Sequence, residues 1–564
     1  MKKILKNNGK SLKLTTLGFT LVELLGILLI LAVIALIAFP IVQNTIKNSQ
    51  EKALERNIET IEEAAYRYSV ENDIGYPSES DKKYLMLSDI QSKGFLDKQI
   101  INPVTDEVMN GCVWYYYDEN YNQYVFEYDG VCEIPPTLIE LLLEQYNEDN
   151  TTGLIKDSSN PNLYYYKGTN EEVSNNYLWY GGHHWRVIDF DTEAKTLTLI
   201  TQQPLTSIQP ASAVWESEES YNNSYINKWL NEYFYNSLDS SIQATIQDST
   251  FNIGIYTDVD EITITKKVGL LDEEQYKRAG SANSFLDIKD YWWLGNRYSS
   301  SSVRNVHING NLYYNSPSNA FGVRAVIKIS DITITGGDGT LASNYQVANK
   351  STNTDNVQVG EYINVPYSGS DNACGSDNMC TFRVVSKDDD SIKVVLNGLL
   401  SNVSEYGSST TISTSHTIYT SLNAFAEGIS DTYQYTGNKT FYIGDYPSTA
   451  TDYKDVQDET LEASIGLPTV GEMFSGNDID LGISSAKTFV DINTIENPTA
   501  SGYYWTMTRF SSSSVRTVYD VGYTGGNSPS NAFGVRAVIY LKSGTSALTF
   551  TGGEGTDQSP YTIQ

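Results

Sequence analysis

The chain has 564 residues, with 38 Lys and Arg against 69 Asp and Glu, which gives a net charge of −31. A chain of this length exceeds one hydrophobic core and indicates about three or four structural units. The acidity argues against a nucleic-acid partner, because few cations are present to replace the counterions of a phosphate backbone. The chain contains 42 tyrosines but only 4 histidines, so general bases and metal ligands are scarce. This composition favours an extracellular binding protein over an enzyme.

The N-terminus combines a basic leader with an apolar segment. Lysines precede Gly18, and no acidic residue occurs before Glu23. Residues 19–39 would form a transmembrane helix of about 31 Å, with the lysine side in the cytoplasm. A signal peptide or a simple anchor is the alternative. Two features argue against it: no small-x-small cleavage site follows the apolar segment, and Glu23 lies inside it, where an unpaired charge costs about 3 kcal/mol.

The motif GFTLVE at residues 18–23 resembles the N-termini of the type IV prepilin and pseudopilin family. The resemblance implies that a membrane-bound prepilin peptidase cuts after Gly18 and methylates Phe19, the new N-terminus. It also implies that Glu23 contacts the amine of a neighbouring pilin subunit in a filament. Pro40 lies where many family members have a helix-kinking proline. We therefore expect a leader at residues 1–18, a cell-membrane anchor, and the bulk of the chain outside the cell.

Residues 19–134 are expected to form a small pilin-like domain. Beyond Pro40 the apolar residues recur at three- and four-residue spacing, which is typical of an amphipathic helix. The members of this face are Leu54, Ile58, Ile61, Ala65 and Tyr68. Two strands around a turn at residues 119–120 follow, and Cys112 and Cys132 bracket them. Outside the cell this pair is expected to form a disulfide.

The rest of the chain contains a tandem repeat. Residues 297–327 and 509–539 match at 22 of 31 positions, at a constant offset of 212. Weaker similarity extends the two copies to about 136–347 and 356–564, with residues 348–356 as the linker. Strands are predicted at 196–201, 392–398 and 320–329, and a helix at 225–234. Side chains are expected to alternate between the two sides of the 320–329 strand, with Arg324 opposite the apolar set. We expect Arg324, and Arg536 in the second copy, to have a structural role rather than to contact a ligand.

Nine positions differ between the matching segments, and the framework between them is identical. The differences are radical, such as Ile to Asp and Tyr to Gly, and lie in one short window. All residues found at these positions can be reached by changing the two adenines of an Asn codon that ends in a pyrimidine. Drift after a duplication would instead give conservative changes. A surface loop under relaxed constraint is the alternative.

This pattern resembles the variable proteins of diversity-generating retroelements, whose C-terminal domains have a C-type-lectin-like fold. In that family, adenine-directed mutagenesis randomises surface positions that bind the target. The resemblance covers the last third of each copy well. It implies an unknown extracellular ligand, a protein or a glycan, at the following positions. They are Tyr298, Asn305, His307, Ile308, Asn309, Asn311, Leu312, Tyr313 and Tyr314 in the first copy, and Phe510, Thr517, Tyr519, Asp520, Val521, Tyr523, Thr524, Gly525 and Gly526 in the second.

The sequence predicts an α+β chain: a long pilin helix with a small β-hairpin domain, then two mixed α/β C-type-lectin-like domains. We expect no catalytic residue, metal site or cofactor. A surface enzyme on a scaffold like that of formylglycine-generating enzymes is one alternative, but its paired cysteines are missing from the first copy. Cys374 and Cys380 in the second copy are expected to form a local disulfide that closes a hairpin. A structural pilin with duplicated, non-binding domains is the other alternative.

Overall fold

The computed structural model describes residues 20–72, 74–75, 77, 82–97, 99–118, 122–132, 134–255, 262–347, 351–375, 377–402, 404–443, 459–469, 486–487, 503–518 and 524–563. The chain divides into two compact units between Ile134 and Pro135. The cleavage residues Gly18 and Phe19 lie outside the described residues, as do Tyr519, Asp520, Val521 and Tyr523. Of Thr524, the backbone alone is described.

The first unit is one long helix with a three-stranded antiparallel sheet, in the order β1-β2-β3. The predicted hairpin is confirmed, and so is the disulfide Cys112–Cys132 beside it. The elements are α1 (Leu21–Glu71), β1 (Lys83–Met86), α2 (Leu87–Ser92), β2 (Cys112–Asp118) and β3 (Gln123–Asp129).

Helix α1 has two parts with different surroundings. Its N-terminal part is exposed and apolar, and the helix is long and apolar enough to cross a membrane. Its C-terminal part buries Ile61 and Ala65 against the sheet, and Leu54, Ile58 and Tyr68 pack beside them, as the spacing predicts. At the N-terminus, Glu23 accepts hydrogen bonds from the backbone N–H and hydroxyl of Thr20, at 3.0 and 2.8 Å. The carboxylate in the apolar segment thus caps its own helix.

The second unit, residues 135–564, contains both copies of the repeat. The first copy has the helices α3 (Leu138–Leu143), α4 (Glu218–Asn222), α5 (Tyr225–Lys228), a π-helix (Trp229–Phe234), α6 (Tyr235–Ser237), α7 (Ser240–Thr245) and α8 (Glu273–Arg278). Its strands are β4 (Gly153–Lys156), β5 (Leu163–Lys167), β6 (Tyr177–Tyr180), β7 (His183–Asp191), β8 (Thr196–Thr201), β9 (Thr206–Ile208), β10 (Ser249–Asn252), β11 (Thr263–Lys266), β12 (Val268–Gly269), β13 (Trp292–Ser299), β14 (Ser302–Val306), β15 (Leu312–Asn315), β16 (Phe321–Val323), β17 (Val326–Ser330), β18 (Ile334–Gly336) and β19 (Tyr345–Val347).

The second copy has one described α-helix, α9 (Thr417–Ala426), and a short 3₁₀-helix at Gly544–Ser546. Its strands are β20 (Tyr362–Pro366), β21 (Met379–Lys387), β22 (Ser391–Leu396), β23 (Ser404–Glu405), β24 (Lys439–Tyr442), β25 (Thr460–Ala463), β26 (Ile465–Gly466), β27 (Ala486–Lys487), β28 (Tyr504–Ser511), β29 (Ser514–Val518), β30 (Thr524–Asn527), β31 (Ala532–Phe533), β32 (Val538–Lys542), β33 (Phe550–Gly552) and β34 (Tyr561–Ile563).

The two copies share the order of seven strands in their main sheets, and the first copy adds the hairpin β4–β5, which pairs with β7 through β5 and has no counterpart in the described part of the second copy. The main sheet of the first copy has the order β12-β17-β8-β7-β6-β19-β18, and the second copy repeats it as β26-β32-β22-β21-β20-β34-β33. A second sheet, β13-β14-β15, recurs as β28-β29-β30. The structural equivalence therefore extends beyond residues 297–327 and 509–539, where the two copies have most of their residues in common.

The copies also contact each other within this unit. Leu399, Tyr504 and Val518 of the second copy belong to the hydrophobic cluster of the first. The His184 ring nitrogen Nε2 lies 2.8 Å from the Asp557 carboxylate. The predicted linker is shorter than expected, because Ser351 and Thr354 are buried in the second copy and hydrogen-bond to Glu361 and Lys542.

Two predicted elements are interrupted. The strand at 320–329 is broken, because β16 pairs in the second sheet and β17 in the main sheet, so the chain changes sheets at residues 324–325. Arg324 is fully buried at this crossing and donates to the carbonyls of Thr201 and Leu286, at 2.8 and 2.7 Å. Arg536 likewise donates to the Leu396 carbonyl. Both arginines have a structural role, as predicted. The prediction of one continuous strand with alternating side chains over 320–329 is wrong.

The predicted helix at 225–234 contains a π-turn. Ile226, Trp229 and Leu230 are buried as expected. The wider turn over Trp229–Phe234 then moves the buried face by one residue, so Phe234 is buried and Tyr233 is only half-buried.

Candidate binding face

The variable positions of the first copy lie on the sheet β13-β14-β15 and on the loop that joins β14 to β15. Trp292 and Trp293 of β13 and Val306 of β14 are fully buried, so this end of the sheet is covered on both faces. The strand β13 has two register irregularities, one of them between Arg297 and Ser299. A bulge of this kind redirects a side chain, and Tyr298 lies within it. β28 has the same irregularities, with Phe510 at the equivalent place.

Most of these positions are exposed together. Tyr313 is 53% exposed, Ile308 and Tyr314 are 46% exposed, and Tyr298 is 39% exposed. Asn309 and Asn311 are also exposed, whereas His307 and Leu312 are half-buried. Six of the nine positions are thus exposed on β13, on β15 and on the loop before β15, and we call these six, with the half-buried His307 and Leu312, the variable face.

An aromatic stack forms the centre of the variable face. The rings of Tyr298 and Tyr314 are stacked with centroids 4.0 Å apart, and Tyr313 lies 5.8 Å from Tyr314. The guanidinium carbon of Arg304 lies 4.4 Å from the Tyr298 ring centroid. Arg304 is held by the buried carboxylate of Glu273, at 2.6 Å. The stack thus rests on a buried ion pair, which fixes its position.

The loop between β14 and β15 is held at both ends. His307 Nε2 lies 2.9 Å from the Tyr291 hydroxyl, and the Tyr276 hydroxyl donates to the Gly310 carbonyl at 2.7 Å. Gly310 has φ +76°, and a Cβ atom there would lie 2.5 Å from the Asp287 carboxylate. This explains why a glycine stands unchanged in a window where the neighbouring positions differ.

Asn305 and its counterpart Thr517 do not lie on the variable face. Both side chains are fully buried. The invariant Asn315 donates its amide to Asn305 at 3.0 Å, and Asn527 donates to the Thr517 hydroxyl at 2.7 Å. The expected ligand contact is therefore wrong for these two positions, because each lies on a strand, β14 or β29, that is covered by a neighbouring strand on both sides.

The variable face of the second copy is described in part. Phe510 is half-buried, Gly525 is half-buried and Gly526 is exposed. The Arg516 guanidinium carbon lies 4.3 Å from the Phe510 ring centroid, as in the first copy. A Cβ atom on Gly526 would lie 2.2 Å from Phe510 Cδ1. The phenyl ring thus occupies space over Gly526 that a larger residue would fill.

The invariant framework makes the same contacts in both copies. The Ser299 and Ser302 hydroxyls are 2.7 Å apart, and those of Ser511 and Ser514 are 2.6 Å apart. A second serine pair, at 316 and 318 or at 528 and 530, is 2.9 Å apart in each copy. These bonds fix the two turns that flank the variable strands in each copy.

Comparison with known proteins identifies one domain. A family model described as a domain of unknown function (DUF6273) matches residues 196–331. This segment runs from β8 to the end of β17 and contains the variable face of the first copy. No curated protein and no solved structure is significantly similar to the chain.

The chemistry of the variable face suits binding. Tyrosine offers a large contact area at a low cost in conformational entropy, and asparagine adapts its hydrogen bonds to different partners. Across the residues that the structure describes, no group of three or more His, Cys, Asp or Glu side chains is placed to hold a metal ion. Sequence reasoning missed Arg304 and Arg516, the supports of the face. Both arginines are the same in the two copies although neighbouring residues differ, and this observation could have identified them.

Proposed function

We propose that this chain is a type IV pilin-like protein of the cell surface that presents two ligand-binding faces, one in each copy of a duplicated domain. The observation that carries the proposal is the exposed stack of Tyr298 and Tyr314 on a framework that both copies share. Eight of the nine differing positions of the first copy are exposed or half-buried, whereas Asn305 is the one differing position that is fully buried. This arrangement is expected where selection acts on the ligand contact and the fold is preserved.

The N-terminal region supplies the anchor in this proposal. A prepilin peptidase removes residues 1–18, and the apolar helix then remains in the membrane or joins other pilin subunits. Both disulfides, Cys112–Cys132 and Cys374–Cys380, suit an oxidising exterior. Because all 4 cysteines are paired, no free thiol is available for the chemistry of a formylglycine-generating enzyme. This favours a binding function over the enzymatic alternative.

The binding function is tested with the full-length protein in liposomes, applied to an array of glycans and an array of purified surface proteins. The variant Tyr298→Ala/Tyr313→Ala/Tyr314→Ala removes the aromatic stack, and Leu341→Ala, at a residue that is 50% exposed, is the matched control. We expect at least one probe to bind the wild type and to lose about tenfold or more in affinity with the triple variant alone. Binding that both variants retain equally, or no binding above that of empty liposomes, contradicts the proposal.

The anchoring function has a separate test. Protein recovered from the membrane of cells that express the prepilin peptidase is sequenced from its N-terminus. We expect the chain to begin at a methylated Phe19. A chain that retains Met1, or that begins at another residue, contradicts the pilin assignment and leaves the binding function to be judged on its own test.

A further inference from the structure

The last variable strand of each copy is the outermost strand of its sheet. In the first copy the sheet has the order β15-β14-β13-β16-β9-β27, and β15 pairs with β14 alone. In the second copy β30 likewise pairs with β29 alone. Among the residues that the structure describes, no strand covers the outer side of β15 or β30. These variable positions thus lie on an open row of main-chain hydrogen-bonding groups.

The register of β15 shows which main-chain groups face outward. The His307 N–H donates to the Asn311 carbonyl at 2.9 Å. Because hydrogen-bonded positions alternate along an antiparallel ladder, the next such position of β15 is Tyr313, whose N–H and C=O face β14. The N–H and C=O groups of Leu312 and Tyr314 therefore point away from β14. In the described part of the chain these groups have no hydrogen-bond partner, and their two-residue spacing matches that of an extended polypeptide.

The sequence of this edge lacks the usual protection against the addition of a strand. Edge strands commonly contain charged residues or proline, or are very short. The strands at the two ends of the main sheet, β12 and β18, have two and three residues. The edge strands of the first unit contain Lys83 on β1 and Glu127 on β3. β15 and β30 have four residues each, all uncharged and none of them proline, so both are open to pairing.

Glycines at two variable positions indicate that the main chain makes the contact. In the second copy Gly525 and Gly526 of β30 stand where the first copy has Tyr313 and Tyr314. A ligand at these glycines finds no side chain. A binding mode that serves both copies therefore uses the main chain of the strand, and side chains beside it, such as Tyr314 or Phe510, select among ligands.

The opposite edge of the same sheet already carries an added strand. There β27 of the second copy pairs antiparallel with β9 of the first copy, with Ala486 opposite Ile208. This sheet thus takes up a strand from outside its own copy at one edge. Within the described residues, β15 is the edge that stays available for another.

We propose that the variable face binds an extended segment of another protein, which adds to β15, and in the second copy to β30, as a further strand. The inference rests on the proposed function and names its ligand class. The outward N–H and C=O groups of Leu312 and Tyr314 bond to the main chain of the partner, whatever its sequence. Tyr298, Tyr313 and Tyr314 contact its side chains, so substitutions at variable positions change the preferred sequence and keep the mode of binding.

The test uses full-length protein in liposomes and a library of random linear peptides, from which binders to the wild type are selected. Tyr314→Pro removes the ring and the outward N–H, whereas the matched variant Tyr314→Ala removes the ring and keeps that N–H. Proline is tolerated in an edge strand where the N–H faces outward, and circular dichroism verifies that both variants are folded. We expect Tyr314→Pro to bind the selected peptides about tenfold more weakly than Tyr314→Ala does.

N-methylation of each residue of a selected peptide in turn is the second measurement. We expect a loss of about tenfold or more at alternate residues, since only every second N–H of an added strand faces β15. Losses without this alternation overturn strand addition. Equal binding by Tyr314→Pro and Tyr314→Ala overturns it too, as does a library that yields no binder.

Further outcomes separate this inference from the proposed function. A glycan on the array that the triple variant loses, and that Tyr314→Pro and Tyr314→Ala bind equally, overturns strand addition and leaves the binding function intact. Wild-type dimers that Tyr314→Pro dissociates in analytical ultracentrifugation identify a second copy of this chain as the occupant, and overturn the assignment to another protein. Failure of both the arrays and the peptide library contradicts both claims.

Discussion

Tyr298 and Phe510 each lie over the arginine that is unchanged between the copies, Arg304 or Arg516, but the two rings have different neighbours. In the first copy, Tyr298 stacks on Tyr314 above Arg304. In the second copy, Phe510 lies over Arg516 and occupies the space above Gly526. In the first copy the Tyr314 ring stacks on the Tyr298 ring. In the second copy Gly526 has no side chain, and the Phe510 ring occupies the space that a side chain at 526 would fill. The side chain at position 298 or 510 therefore depends on the residue at position 314 or 526, and we expect the effects of substitutions at the two positions on stability to be coupled.

This coupling predicts a non-additive effect on stability. The single variants Tyr298→Ala and Tyr314→Ala each remove the stack, so the double variant loses little more. We expect a coupling energy of about 1 kcal/mol from a double-mutant cycle in chemical denaturation. The pair Tyr298→Ala and Leu341→Ala, whose side chains share no contact, is the control and should be additive. Additivity at 298 and 314 contradicts the coupling.

A buried carboxyl in the second copy predicts a dependence of stability on pH. Burial raises the pKa of Glu361 from 4.5 to about 7, although the Gln358 N–H and the Ser351 and Tyr561 hydroxyls partly oppose the shift. Because the folded state binds the proton more tightly, this group stabilises the fold at low pH. Its contribution, up to about 3 kcal/mol, is lost as the pH rises from about 4.5 to 7.

The variant Glu361→Gln removes this ionisation and, through its amide oxygen, keeps the bonds that Oε2 accepts from the Ser351 hydroxyl and the Gln358 N–H, while the bond from the Tyr561 hydroxyl to Oε1 is lost. We expect the variant to be more stable than the wild type at about pH 8 and similar to it near pH 4.5, as measured by urea denaturation. Glu427→Gln, at an exposed position, is the control and should follow the wild type. A wild type and Glu361→Gln variant whose difference does not change with pH would contradict the raised pKa.

At the residue scale the sequence identified both disulfide pairs and the structural role of Arg324. It did not separate Asn305 from the exposed variable positions. A comparison of two copies shows that a position differs, but the burial of its side chain depends on which strand is covered on both sides in the sheet, which is set by packing. Glu361 was also missed, since nothing in the local sequence shows that a lone glutamate is buried.

Elements whose pattern depends on local residues were predicted best. The strand at 196–201 matches β8, and the two strands predicted between the first two cysteines pair antiparallel as β2 and β3. The prediction of a single strand at 320–329 was wrong because its two halves, β16 and β17, belong to different sheets. Alternation of apolar residues along a sequence does not show where a chain passes from one sheet to another. The π-turn at Trp229–Phe234 likewise depends on how its aromatic rings pack, which periodicity alone does not contain.

The loop between β14 and β15 offers a test at this scale. Gly310→Ala places a methyl group 2.5 Å from the Asp287 carboxylate and 2.9 Å from the Ala282 backbone, at a positive φ. We expect the variant to lose about 1–3 kcal/mol in the free energy of unfolding. Gly336→Ala, where no atom lies within 4 Å, is the control and should lose less than about 1 kcal/mol. Equal losses would show that the loop is not held as described.

At the scale of the whole molecule, the shared topology is the feature that the sequence showed least. Identical residues are concentrated in the last third of each copy, but seven strands of the main sheet follow the same order in both copies. A sheet needs buried apolar residues of suitable size and tolerates exchange among them, so sequence similarity fades where topology persists. The copies differ in the hairpin β4–β5 of the first copy, in the connection 367–378 of the second copy, where the first has only Gly181 and Gly182, and at the variable face.

The contact between the copies predicts cooperative unfolding. Side chains of the second copy, Tyr504 and Val518 among them, join the hydrophobic cluster of the first, and His184 bonds to Asp557 across the contact. We expect residues 135–564 to unfold in one calorimetric transition in the full-length protein, and His184→Ala to broaden or split it. Two well-separated transitions in the wild type would contradict a shared core.

The central claim is that the two faces vary while their framework stays constant. Deep sequencing of the coding segments for residues 297–327 and 509–539, in a growing population of the source cells, tests it directly. We predict that substitutions concentrate at the nine differing positions of each copy and arise from adenines, with the serine pairs, Gly310 and Arg304 unchanged. Substitutions spread evenly over all 31 positions would contradict it.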